Sequence, residues 1–259
     1  MARSSPVRAL TVLFLLFFLG LAVTVFAFVD LQWTHVVLVK IPDAKSGKGV
    51  RAASVDPQQL QRLRQSILNV RVQCISGENT GTGFIVKPGF VATAAHIFGD
   101  RRLCSGPIRL VDYKGLEHIA EVAGVSDDDD LAVLSIPDVL LPALALADAT
   151  RYEAANDVVR VVTIGYPLEQ QGASARDSAS VSGEGSLSRF IRDRNVFVTS
   201  GLNLNPGNSG GPIFIRDNWT VLGIARAKLP NTVGEGIGYV ASVRAFESFF
   251  REKTGQELR

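Results

Sequence analysis

The chain is short of almost every residue type that announces a cofactor. Its 259 residues include two cysteines, three histidines and one methionine. No Cys-x-x-Cys pair, His-Glu-x-x-His stretch or Gly-Lys-Ser/Thr phosphate loop occurs. Zinc-finger, metalloprotease-helix and nucleotide-phosphate chemistries therefore lack their ligand sets, and the reading calls for no metal and no cofactor. Charge of one sign is lacking too. Lys and Arg number 27 against 25 Asp and Glu, for a net charge of +2. Without a broad basic tract there is no footprint of a nucleic-acid partner.

What is present is 46% hydrophobic residues, 24 glycines and one conspicuous run, Asn205-Pro206-Gly207-Asn208-Ser209-Gly210-Gly211-Pro212. Glycines around a serine allow a tight, strained turn that exposes the hydroxyl and lets a substrate carbonyl approach backbone N–H groups. The same residues build ordinary turns, so the assignment needs partners. A serine hydroxyl is a poor nucleophile near neutral pH and requires a base, with a third group to orient that base. Among the three histidines, His96 closes the small-residue run Phe90-Val91-Ala92-Thr93-Ala94-Ala95. His35 and His118 have no such setting and read as structural or surface residues. The orienting acid is expected at the mouth of a strand. Asp127-Asp128-Asp129-Asp130 leads directly into Leu131-Ala132-Val133-Leu134-Ser135-Ile136, which singles out Asp130, with Asp129 as the register alternative. Four adjacent carboxylates could instead form a solvated loop or bind calcium, but the alternating ligand spacing and mid-loop glycine of an EF-hand are missing.

Together, GTGFIV from Gly81, VATAAH ending at His96, DDLAVL from Asp129 and GNSGGP from Gly207 resemble the trypsin-like serine peptidases, and within them the HtrA/Deg branch. The order His, Asp, Ser is that of the chymotrypsin arrangement. The resemblance spans roughly residues 60–250. It implies a mainly β fold of two antiparallel six-stranded barrels, chymotrypsin-like, with His96 and Asp130 on the first barrel and Ser209 on the second. It also implies a serine endopeptidase acting on protein or peptide substrates through an acyl-enzyme. The oxyanion hole would be the N–H groups of Gly207 and Ser209, and a flip of the peptide between Gly207 and Asn208 would spoil it without moving the triad. The specificity pocket would lie near Asn203, Ala225, Ala227 and Tyr239. None of these is acidic, which argues against a demand for Lys or Arg and for small or medium apolar residues. The alternative function is a peptidase-fold binding or scaffold protein without turnover. Too few residues follow the last helix for the peptide-binding PDZ domain of many HtrA/Deg proteins.

The ends and connections complete the expectation. Residues 9–29 are uncharged, and as a helix rising about 1.5 Å per residue they span roughly 30 Å, a bilayer core. Arg3 and Arg8 precede them, so the layout is a cytoplasmic stretch at 1–8, a transmembrane signal-anchor at 9–29 and an extracytoplasmic, periplasmic or extracellular, catalytic part. The rival is a cleaved signal peptide with a site at Val25-Phe26-Ala27. Residues 30–55, with Lys45, Lys48 and Arg51, form a membrane-proximal linker able to lie on anionic lipid. The peptidase domain covers 56–259, opening with Asp56 as N-cap, Pro57, and a helix over 59–68. Strands are expected near 70–75, 84–86, 158–164, 195–199 and 212–215, a Ser- and Gly-rich loop at 168–188, and a closing helix over 241–253 packed on the second barrel. Cys74 and Cys104 are either a disulfide, as an oxidising compartment would favour, or buried thiols.

Overall fold

A computed structural model describes residues 56–154, 158–168, 179–202, 204–228 and 236–259, apart from the side chains of Ala227 and Lys228. The segments expected to be a cytoplasmic stretch, an anchor and a linker, residues 1–55, lie outside the described residues. No helix among the described residues is long and apolar enough to cross a membrane.

Among the described residues, twelve strands close into two antiparallel barrels. The first comprises β1 (Ile67–Cys74), β2 (Gly77–Lys87), β3 (Phe90–Thr93), β4 (Ile108–Val111), β5 (Glu117–Ser126) and β6 (Leu131–Ser135), joined in the order β1-β2-β3-β6-β5-β4. The second comprises β7 (Arg160–Gly165), β8 (Ser180–Ile191), β9 (Val196–Ser200), β10 (Pro212–Ile215), β11 (Val221–Lys228) and β12 (Ile237–Ser242), in the order β10-β11-β12-β9-β8-β7. This is the expected mainly β, chymotrypsin-like architecture. Alternation along each strand divides the apolar side chains between cores. In β6, Ala132 and Leu134 point into the first barrel, while Leu131 and Val133 join a core shared by both barrels. In β10, Ile213 and Ile215 fill the second barrel and Phe214 enters the shared core.

Two elements differ from the sequence reading. The opening helix α1 (Pro57–Arg64) has the expected Asp56 cap, whose carboxylate accepts from the Gln58 N–H at 3.1 Å, but it stops at Arg64. Ile67 and Leu68, placed by their spacing on that helix, instead start β1 opposite Phe84 and Gly83. Ladder bonds and a β-branched side chain outweigh three-to-four periodicity there. The expected loop at 168–188 contributes its second half to β8, paired along both sides with β7 and β9. At Gly185 a Cβ would press on Leu202 Cα at 2.8 Å, so the glycine marks close backbone packing there.

The closing helix α2 (Val243–Thr254) is capped by the Ser242 hydroxyl, accepting from Arg244 N–H at 3.3 Å, and ends at Gly255 with φ +69°. Its Val243, Phe246, Phe249 and Phe250 are buried as the spacing predicts. It packs on more than the second barrel. Phe250 meets Phe90 of β3 edge-on at 5.2 Å between ring centroids, and Phe246, Phe249 and Phe250 complete the core shared with Phe84 and Phe214.

Candidate active site

Small residues bring β3 to an end at Thr93, and the chain turns through a short 3₁₀ segment, Ala95–Phe98, that carries His96. The imidazole is half exposed, at 47%. Its Nδ1 lies 3.0 Å and 2.9 Å from the two carboxylate oxygens of Asp130, and its backbone N–H donates to Oδ1 at 2.9 Å. Asp130 holds ring and backbone of one residue together, so both the position and the orientation of the ring are fixed.

Asp130 reaches inward because its backbone takes a left-handed conformation, φ +54°. Its side chain is 14% exposed, against 77% for Asp127. Two of the other carboxylates are committed elsewhere. Asp127 pairs with Arg101 at 2.8 Å, and Asp129 accepts from Ser126 Oγ at 2.9 Å while its own N–H donates back to that hydroxyl. The register question between Asp129 and Asp130 therefore has a geometric answer: Asp130 is the one that meets His96.

Ser209 sits on a turn between β9 and β10. Gly207 and Gly210 have φ of +93° and +80°, and a Cβ at Gly210 would collide with Thr82 O and Thr93 Oγ1 and press on Ala94 N at 2.7 Å. The serine turn is thus seated against the segment two residues before His96. Among the described residues no hydrogen bond joins Ser209 Oγ to His96 Nε2, a contact that commonly tightens only when substrate is bound. The N–H groups of Gly207 and Ser209 meet no acceptor among the described residues, while that of the intervening Asn208 donates to Asn205 O at 3.0 Å. Asn208 itself is fully buried, and neither amide atom of its side chain meets a hydrogen-bond partner among the described residues.

Of the expected pocket residues, Asn203 lies outside the described residues, as does the side chain of Ala227. Ala225 is buried and exchanges backbone hydrogen bonds with the serine turn, accepting from Gly210 N–H at 2.8 Å and donating to Gly211 O at 2.9 Å. Tyr239 lines a recess of about 480 Å³ with Asp128, Asp129, Asp130 and Arg226. A recess of about 770 Å³ lies between the acidic turn and α2, and Ser209 is not part of its lining.

Cys74 and Cys104 form a disulfide. The bridge ties the end of β1 to the loop after the His96 turn, and Ile75 N–H donates to Leu103 O at 2.8 Å beside it. His118 does have a carboxylate neighbour, which its sequence setting did not reveal: Nε2 lies 3.2 Å from Asp112 Oδ2. Asp112 is buried, and its Oδ1 also accepts from the N–H groups of Lys114 and Leu116 at 2.8 Å and 3.0 Å. Burial pushes its carboxyl upward, but the bonds from Leu116, His118 and Lys114 outweigh that and hold it below the ordinary carboxylate value.

Two further residues escaped the sequence reading. Arg226, the sole charge among Val221-Leu222-Gly223-Ile224-Ala225-Arg226-Ala227, projects from β11 to Asp130, and that isolation was its signal. Thr82 is buried between Gly81 and Gly83 on β2 and bonds to the serine turn. A lone hydroxyl flanked by glycines was the available clue.

Two β-barrels that share a core, with a His–Asp pair from one and a glycine-set serine from the other, define the class of chymotrypsin-type hydrolases. The chain belongs to the trypsin-like peptidase domain family, which it matches over residues 81–224. It is 31% identical over 161 residues to a probable periplasmic serine endoprotease, DegP-like, of Chlamydia pneumoniae, covering 61% of this chain and 31% of that protein. It is also 31% identical over 184 residues to the magnetosome formation protease MamE of Paramagnetospirillum magneticum, covering 70% of this chain and 24% of that protein. The chain therefore spans about a third or less of these relatives' length. The crystal structure of the serine endoprotease from Yersinia pestis superposes with a TM-score of 0.62 at 22% identity, over 76% of this chain and 65% of that one, a likeness of fold.

Proposed function

We propose that this chain is a serine endopeptidase that cleaves protein or peptide substrates through a Ser209–His96–Asp130 triad. The observation that carries the reading is the double contact of Asp130 with His96, on a segment against which the Ser209 turn is packed. With Nδ1–H donated to Asp130, Nε2 is left as the base. It takes the hydroxyl proton as Ser209 Oγ attacks the scissile carbonyl, and returns that proton to the leaving amine as the C–N bond breaks. Water, activated by the same imidazole, then releases the acyl group. The N–H groups of Gly207 and Ser209 would receive the oxyanion, an interaction whose loss typically costs about a hundredfold or more in turnover. Ala225, with Asn203, Ala227 and Tyr239, would border a pocket for small or medium apolar side chains.

The domain layout follows the sequence: residues 1–8 cytoplasmic, 9–29 a single-pass anchor, 30–55 a linker at the lipid surface, and 56–259 the catalytic domain outside the cytoplasm. The periplasmic designation of the DegP-like relative and the Cys74–Cys104 bridge both support an extracytoplasmic setting.

Fluorophosphonate labelling of the full chain is the direct test. The wild type should be labelled at Ser209 and the Ser209→Ala variant should not. A wild type that stays unlabelled and leaves peptides uncut would overturn the reading and leave a peptidase-fold binding protein in its place.

A further inference from the structure

We infer that Thr82 is the positioning residue of the oxyanion turn, holding from the first barrel a peptide that belongs to the second. The inference rests on the reading of Ser209 as nucleophile and deepens it. Thr82 is fully buried on β2. Its hydroxyl donates to the Gly207 carbonyl at 2.6 Å and accepts from the Tyr166 N–H at 3.0 Å. Its backbone N–H donates to the Ser209 carbonyl at 2.8 Å, and its own carbonyl accepts from Thr93 Oγ1 at 2.8 Å.

A trans peptide is planar, so its C=O and N–H point in opposite directions, and fixing one fixes the other. Four consecutive carbonyls of the serine turn are each fixed. Pro206 O accepts from Leu168 N–H at 2.8 Å and Asn208 O from Gly211 N–H at 2.9 Å, which directs the Gly207 and Ser209 N–H groups to the opposite side. Thr82 supplies the other two, at Gly207 and Ser209. Three of the four donors are backbone groups; the Thr82 hydroxyl is the one a substitution can delete. It acts on the Gly207–Asn208 peptide, which lies between the two peptides whose N–H groups would face the oxyanion, so a rotation of that middle peptide displaces both. Because Thr93 Oγ1 bonds the same residue, Thr82 also keeps the turn in register with the strand leading to His96. Thr82 touches no reacting atom; it acts through the peptide it holds.

The test compares Thr82→Val, which keeps the shape and removes the hydroxyl, with Thr82→Ser, which keeps the hydroxyl. Hydrolysis of p-nitrophenyl butyrate and inhibition by a peptide boronate, whose tetrahedral adduct needs the oxyanion donors, are measured on the full chain. The expected result for Thr82→Val is a kcat lower by about ten- to a hundredfold, with KM within threefold and boronate affinity lost in parallel. Thr82→Ser should restore kcat to within about fivefold of wild type. Thr82→Ala, read in the same assays, serves if the valine variant does not fold. A folded hydroxyl-less variant with wild-type kcat and boronate affinity would overturn the role of Thr82, as would a serine variant as impaired as the valine one. Failure of the wild type itself to hydrolyse the ester or to label with fluorophosphonate would instead remove the underlying assignment of Ser209.

Discussion

Arg226 Nε lies 3.8 Å from Asp130 Oδ2, and its Nη2 donates to the Asp128 carbonyl at 3.2 Å, so one guanidinium of the second barrel grips the acidic turn of the first. Asp130 thus answers to two cationic or donor groups at once, Arg226 on one side and the His96 ring on the other. The pair is largely shielded, with side-chain exposures of 21% and 14%, and shielded charges are screened less than surface ones.

Removing that grip should impair turnover without unfolding the protein. Arg226→Gln is expected to lower kcat/KM by about three- to tenfold, in line with a charged hydrogen bond rather than a surface ion pair. Arg226→Lys, which keeps the charge but not the two-pronged reach, should fall between. Ester hydrolysis alongside thermal melts checks this, and unchanged activity in the glutamine variant would mean the turn holds itself.

The acidic turn offers a sharper contrast. Asp130→Asn should reduce kcat by about four orders of magnitude while the folded state survives, because the imidazole loses its orienting acceptor. Asp129→Asn should remain within a fewfold of wild type, since the bonds of Asp129 among the described residues go to Ser126 and not to His96. Steady-state kinetics of the two variants decide it, and a dead Asp129 variant would reverse the register.

The disulfide should contribute stability and no chemistry. Cys74 and Cys104 are separated by 30 positions, and replacing both with serine should cost about 2 to 4 kcal/mol. Denaturant titration measures that loss. Activity per folded molecule should stay near wild type, because the bridge anchors the loop beyond His96 and not His96 itself.

A pH effect on stability is expected from Asp112. Its folded carboxyl lies below the ordinary value, so between the two values the folded state binds fewer protons than the unfolded one. The stabilisation is complete above the usual carboxylate range and is lost as pH falls through the folded value. Asp112→Asn should flatten the acid limb of a stability–pH profile. It should also cost about 1 to 3 kcal/mol near neutrality, because the donors gathered around the buried Asp112 side chain lose a charged acceptor. An acid limb identical to wild type would show that other carboxylates govern it.

How much of this was legible in the sequence depended on whether the signal was local. The bounds of β10, the Asp56 cap, the four buried positions of α2 and the Asp130–Leu131 junction all follow from neighbours along the chain. The end of α1 did not, because Ile67 and Leu68 are claimed by Phe84 and Gly83, strand partners that helical spacing cannot see. Nor did the Gly-rich half of β8, which is held by two neighbouring strands. Thr82 and Arg226 were missed for the same reason: each works on a barrel other than its own, through contacts 125 and 98 residues away in sequence.

The placement of α2 carries a consequence for biosynthesis. The first barrel, with His96 and Asp130, is translated well before the helix whose Phe250 closes over its Phe90. Until α2 is made, the apolar face bearing Phe84 and Phe214 lacks its cover. A half-made chain therefore leaves that apolar face open, and the core common to the two barrels closes only when the helix is complete.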